Sequence, residues 1–364
     1  MSSLATRLYR GEAGVNIVGR RKMWFTVAGV ALLLAVLAIG VKQFHLGIEF
    51  AGGNQFKLPN LTQSQAAVEQ AFQDAGAVVG PVQTVGRGDD VTFQVTTAAM
   101  GSDQAVQVKQ DVAAKLGIAD GEITFNTVSA AWGEQITNKA LQGLIIFLIV
   151  VMIYLVLRFE WRMAVSAVSS LLLNLILTAG VYALTGFEVT PSTVIGFLTI
   201  LGFALYDVVV VFDKIQENTR GITTSSTRTY ADAANLAVNQ TIMRSINTSL
   251  VALLPVGGLL FIGAGLLGAG TLKDLSLVLF VGMAIAVYSS LFVATPILVT
   301  LKDHEPRYKA HNARVRARLA SGREAAGNTP RRAAEPVAVA TAAPKPGARP
   351  AAKGRRPGPG GRRR

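Results

Sequence analysis

Thr193 to Phe212 reads TVIGFLTILGFALYDVVVVF, a run apolar enough and long enough to cross a bilayer as a helix, with one ionisable acid, Asp207, well inside it. An acid at that depth costs about 2.5 to 3.5 kcal/mol on insertion scales. It therefore faces a protein interior, finds a cationic or protonic partner, and usually marks an ion pathway. The plainer alternative is a structural polar contact between two helices.

Composition agrees with a lipid solvent. Hydrophobic residues make up 51% of the 364-residue chain and charged residues 16%, and the apolar residues fall in long blocks rather than scattered positions. Six runs have membrane length: Met23 to Val41, Ala140 to Leu157, Met163 to Leu184, Val189 to Phe212, Ile246 to Leu267, and Leu275 to Leu301. The first follows Arg20, Arg21 and Lys22 and resembles a signal peptide. Its core is longer than the roughly 7 to 15 residues of a signal core, which predicts a retained anchor.

The connecting segments carry opposite charge. Between Gln43 and Asn138 there are ten acids against four bases, so residues 42–139 are expected on the outer side of the membrane. Arg7, Arg10, Arg20, Arg21 and Lys22 precede the first span, Arg158 and Arg162 lie between the second and third, and Lys214, Arg220 and Arg228 follow the fourth. That asymmetry puts residues 1–22, the loop 213–245 and both termini in the cytoplasm. The chain has no cysteine, so an exported domain must be held by packing rather than disulfides.

Within residues 42–139 the pattern alternates strand and helix. Ile48 to Leu58 reads as a strand, Thr62 to Ala75 as a helix with Thr62 at the N-cap, and Val82 to Val85 and Val91 to Val95 as strands around the turn Gly86 to Asp89. A helix over Ser102 to Leu116 and a strand over Glu122 to Val128 complete a β-α-β-β-α-β order, which predicts a ferredoxin-like α/β domain. Its acids do not cluster at metal-ligand spacing and its one histidine, His45, sits at the membrane edge, so neither a metal nor an enzyme site is expected. From Leu301 onward there are 17 Lys or Arg and four acids, an excess equal to the +13 of the whole chain. Residues 302–364 are expected to form a basic cytoplasmic tail, disordered at least beyond Ala320, with anionic lipid as a possible partner.

Polar residues inside or at the edge of the spans are few: Asp207, Asp213 near the end of the fourth span, and Arg244 at the start of the fifth, followed by Ser245, Asn247, Thr248 and Ser249. Asp213 lies about 9 Å beyond Asp207 along a helix and opens a charged run, so an interfacial salt bridge is its expected role. Burial raises the pKa of a carboxyl and a nearby guanidinium lowers it, so Asp207 with Arg244 approaching and retreating would form a protonation switch. Gly196, Gly202, Gly257, Gly258, Gly263 and Gly265 would let helices approach closely.

These stretches carry a family resemblance. Gly202 to Asn218, GFALYDVVVVFDKIQEN, is similar to the fourth-span signature of the SecF proteins, within the resistance-nodulation-division superfamily. Gly47 to Gly53, GIEFAGG, resembles the family motif just outside the first span; Val238 to Ser249 resembles its fifth-span entry; Leu272 to Ser276 with Tyr288 to Ala294 resembles its sixth. The resemblance implies six transmembrane helices with one exported domain in a bacterial plasma membrane, pairing with SecD and association with the SecYEG channel. It also implies use of the proton-motive force to promote late translocation of unfolded polypeptides after SecA has driven entry. It assigns proton coupling to Asp207 and Arg244, supported by Tyr206, Asp213, Asn247, Thr248 and Ser249, and makes Gly47, Glu49, Gly52 and Gly53 the motif after the first span. It implies no cofactor, with protons as the coupling ion and sodium still open. Family members commonly have Asn and Thr where this chain has Tyr206 and Val208, and Asp where it has Glu49. A half-transporter for lipid or small molecules, or a passive channel scaffold, are the other classes compatible with the sequence.

Overall fold

In the computed structural model, which describes residues 14–59, 63–85, 91–264 and 270–327, six helices are long and apolar enough to span a membrane. In chain order, α1 (Arg21–Lys42) leads through β1 (His45–Leu46) and the short α2 (Ile48–Ala51) into a domain. That domain comprises β2 (Gly53–Leu58), α3 (Gln65–Asp74), β3 (Val79–Val85), β4 (Thr92–Thr97), α4 (Ser102–Leu116) and β5 (Thr124–Val128). There follow α5 (Ala130–Arg158), α6 (Trp161–Thr185), β6 (Glu188–Val189), α7 (Pro191–Thr219) and α8 (Tyr230–Gly258) with a π-helical end, Leu259–Ala264. The sixth span is α9 (Gly270–Ser289), a π segment (Ser290–Ala294) and α10 (Thr295–Asp303); α11 (Pro306–Gly327) comes last. The chain divides into two units, residues 1–318 and 319–364; in the second, the described residues 319–327 are helical.

The sheet runs β3-β4-β2-β5 with antiparallel pairing throughout, the order that two interlocked split β-α-β units produce. Alternation sends Phe56 and Leu58 of β2 and Phe93 and Val95 of β4 inward, where Val68 and Phe72 of α3 and Val108 and Val112 of α4 cover them. Phe56 stacks on Phe125 and tilts against Phe72 at centroid distances of 5.5 and 5.1 Å.

The sequence expectation differs from the structure at four places. Ile48 to Leu58 is not one strand: Gly47 caps α2, and Gly52 and Gly53, at φ of 73° and 142°, turn the chain into β2. Only glycine adopts that backbone cheaply, and a Cβ on Gly53 would also strike the Thr97 carbonyl. The first domain helix is capped by Ser64, whose hydroxyl accepts from Ala67 N at 3.3 Å; Thr62 and the turn Gly86 to Asp89 lie outside the described residues. Residues 213–245 are not a loop, because α7 runs on to Thr219 and α8 starts at Tyr230 behind a Thr229–Asp232 capping box. Hydropathy records immersion in lipid, not where helical hydrogen bonding stops. The expected disordered tail begins as a helix, Pro306–Gly327, in which Tyr308, His311, Asn312 and Val315 make a buried stripe at helical spacing; residues 328–364 lie outside the described residues.

In the bundle, α9 packs against α7, α6 and α8, and α1 packs against α6. Of the glycines expected at close helix approaches, Gly196 meets Val278 directly, whereas Gly202 and Gly258 face open space and Gly265 lies outside the described residues. Gly180 against Ala35, Gly282 against Ile200 and, at the domain root, Gly133 against the Phe50 carbonyl are further tight approaches.

Candidate functional site

Helix periodicity decides which polar residues face inward. On α7 the buried stripe is Thr193, Gly196, Ile200, Ala204, Asp207, Val208 and Val211, so Asp207 turns into the bundle at 5% exposure and Tyr206, one residue away, turns out at 49%. On α8 the stripe Val238, Thr241, Ile242, Ser245 and Ser249 is buried, whereas Arg244 and Asn247 are exposed.

Asp207 accepts a hydrogen bond from Ser290 Oγ on the sixth span. Ser290 opens the π segment, where backbone hydrogen bonding is out of step with the flanking α-helix, and such segments occur often at functional sites. Two serines of α6 support this break. Ser170 Oγ donates to the Ser289 carbonyl at 2.9 Å and Ser166 Oγ to the Ala294 carbonyl at 2.5 Å, at the two ends of the segment. Backbone groups freed inside a membrane protein need such partners. Ser290 Oγ also lies 3.2 Å from the Val287 carbonyl, so its one proton has two acceptors within reach. Ser245 lies beside Asp207, with its hydroxyl directed to the carboxylate, and the buried Ser249 hydroxyl has no hydrogen-bond partner among the described residues.

Arg244 does not form an ion pair with Asp207. Its guanidinium donates to the Tyr206 hydroxyl at 3.4 Å on the outer face of the α7–α8 pair, and Thr248 Oγ1 donates back to the Arg244 carbonyl at 2.8 Å. Asp213 pairs with Arg158 at 2.8 Å, both half-exposed, at the end of the bundle away from the sheet domain. At the domain end, Gly47 N donates to the Val189 carbonyl at 2.9 Å, so the stretch Gly47, Glu49, Gly52 and Gly53 forms the elbow that ties the domain root to the α6–α7 connection.

Sequence reasoning missed Ser290 as the hydrogen-bond donor to Asp207, and it missed a buried cation. Lys302 is 1% exposed, bonded to Glu160, 3.8 Å from Glu305, and capped by the rings of Tyr308 and Tyr230 at 4.9 and 5.9 Å. The apolar residues flanking it in the last span were the available signal.

Residues 108–304 match the family described as protein export membrane protein SecD/SecF, C-terminal. The chain is 45% identical to protein translocase subunit SecF of Streptomyces coelicolor, covering 100% of this chain and 99% of that one. It is 45% identical to SecF of Mycobacterium tuberculosis, covering 88% and 74%. Its structure is similar to the crystal structure of SecDF, a translocon-associated membrane protein from Thermus thermophilus, with a TM-score of 0.70, 26% identity, and coverage of 80% of this chain and 39% of that one. A super-membrane-facing form of SecDF gives a TM-score of 0.57 at 28% identity.

Proposed function

Since this chain belongs to the SecD/SecF family of protein-export membrane proteins, we propose that it works with a SecD subunit at the SecYEG channel, using protonation of Asp207 to draw the proton-motive force into late export of unfolded polypeptides after SecA. A role in Sec-related protein translocation follows from the family. The proton-coupling step is the part proposed.

One observation carries it: a buried carboxylate in the fourth span is bonded to the residue that opens a π segment in the sixth. Ionised, Asp207 attracts the Ser290 hydroxyl. Once protonated it is a weaker acceptor, and the hydroxyl can turn to the Val287 carbonyl. Forming or removing a one-residue π insertion re-phases the helix beyond it by about 100°. A proton on one carboxyl thus becomes a movement of the sixth span, and the sheet domain follows through the bundle.

The outer face of α7–α8 supports a partner half. An arginine and a tyrosine exposed to hydrocarbon would be costly, so Arg244, Tyr206 and Asn247 are read as residues that a SecD half covers, with Arg244 able to approach Asp207 when the helices shift. Bases at one end of the bundle, Arg21, Arg158 and Arg162, support a cytoplasmic side there and an outer side for the sheet domain, in a bacterial plasma membrane. The test is substitution in membrane vesicles: Asp207→Asn abolishes proton-dependent export with insertion and partner binding intact, and Asp207→Glu restores part of it. Export at the normal rate by Asp207→Asn, as a passive scaffold requires, sinks the proposal.

A further inference from the structure

The bundle holds a second buried acid that the scheme above does not use. Glu188 lies on β6, paired in parallel with His45 of β1, in the strip that joins the root of the sheet domain to the membrane helices. It is 8% exposed, and among the described residues its carboxylate has no ion pair or hydrogen bond. It lines a cavity of about 270 Å³ whose walls come from both parts: Gln55, Lys57 and Gln94 from the sheet, Thr190 and Ser192 from the start of α7, and Asp274 from α9.

The charged groups facing it come from every neighbouring element. Glu49 stands on α2, the short helix of the domain root, and Asp274 and Lys273 stand at the start of α9. Lys57 lines the same cavity from β2, and His45 lines the adjoining one. Two acids therefore oppose ionisation of Glu188 and Lys273 favours it. Burial first, then the charges of Asp274 and Glu49, push the Glu188 carboxyl up from 4.5 to about 7, with Lys273 pulling the other way.

We propose that Glu188 is a second protonation site of this chain, a junction switch that seats the sheet domain on the bundle when neutral and loosens it when ionised, through repulsion between Glu188 and Glu49. The proposal rests on the proton-coupled reading of the family role but invokes a different carboxyl. It gives the outer face a sensor: a proton arriving from that side meets Glu188 at the domain root before it reaches the middle of the bilayer. Ionised Glu188 places a negative charge beside Glu49 and Asp274 in a confined space, between the short α2 that carries Glu49 and the start of α9.

The chain has no native cysteine, so Gln94→Cys and Ser192→Cys, on opposite walls of the cavity, can take a pair of spin labels in the full-length protein in proteoliposomes. The expected result is a short distance at low pH giving way to a longer one with a midpoint near pH 7. Glu188→Gln should hold the short distance at every pH. Glu49→Gln, which tests the same point if Glu188→Gln misfolds, should remove most of the lengthening, because the charge that ionised Glu188 repels is gone. Asp207→Asn should keep a titration with its midpoint near pH 7, so failure of the coupling scheme and failure of the switch are distinguishable. A flat wild-type curve, unchanged titration in Glu188→Gln, loss of titration in Asp207→Asn, or a midpoint that follows sodium concentration instead of pH each overturns the proposal.

Discussion

Removing the two serine caps from the π segment tests whether that break positions Ser290. Ser166 and Ser170 are 0% and 1% exposed and donate to the carbonyls of Ala294 and Ser289 at the ends of the segment. Interhelical hydrogen bonds in a membrane protein average about 0.6 kcal/mol and reach about 1.7. Losing both caps therefore disfavours the segment by about 1.2 kcal/mol if each is average, and by about 3 kcal/mol at the upper end. A shift of 1.4 kcal/mol is about tenfold in an equilibrium, so at the average value the ratio of the state with Ser290 on Asp207 to the state without it should fall by about eightfold. Ser169 is the control, since its hydroxyl bonds the Val165 carbonyl of its own helix on an exposed face at 2.8 Å. The assay is proton-dependent export in vesicles carrying Ser166→Ala/Ser170→Ala, beside thermal unfolding of the purified protein. Export should fall about five- to tenfold with a small loss of stability, and Ser169→Ala should match wild type. If the double variant exports like Ser169→Ala, the π segment does not set the geometry of the site.

Glu160→Gln should destabilise more than Lys302→Met, by about 3 to 5 kcal/mol against about 1 to 2, because the first weakens the nearest partner of a buried cation whereas the second replaces the cation with an apolar chain; chemical denaturation in detergent ranks them. Phe72→Ala, at 0% exposure in the sheet-domain core, should cost about 3 to 5 kcal/mol and raise proteolysis of the domain without changing membrane insertion. Glu188 has a folded pKa raised from 4.5 to about 7, so the folded state binds the extra proton and stability declines as pH rises through that window. Denaturation curves from pH 4 to 8 should show the decline in wild type and a flatter profile in Glu188→Gln. Arg244→Ala should weaken recovery of the chain with a SecD half in detergent, and unchanged co-purification would remove Arg244 from that interface.

The apolar runs made the six spans legible, because a bilayer demands long helices with internal hydrogen bonds. Their ends were less legible: α7 and α8 continue beyond the lipid, where polar sequence such as Asp213 to Thr219 is helical for reasons of capping and packing. The strand order of the sheet domain followed from alternation and turn positions, but Gly52 and Gly53 hid a short helix inside what reads as one strand. Asp207 stood out because a lone acid in an apolar run is costly wherever it points. Ser290 did not, since a serine in a span is cheap and its meaning depends on a contact 83 residues away in sequence. Glu188 reads as an ordinary loop acid until the pairing of β1 with β6 brings Glu49 and Asp274 around it. Arg244 was legible as a site residue, whereas its partner in this structure, Tyr206, follows from which helix faces meet.

In the proposed coupling, Asp207 links protons to export. The most direct measurement compares export into membrane vesicles with and without an uncoupler, in wild type and Asp207→Asn, at saturating ATP for the entry step. The wild type should lose its late-stage stimulation when the proton gradient collapses, and Asp207→Asn should run at that uncoupled rate under both conditions. An Asp207→Asn variant that keeps an uncoupler-sensitive stimulation of wild-type size would show that the proton enters export elsewhere than at Asp207.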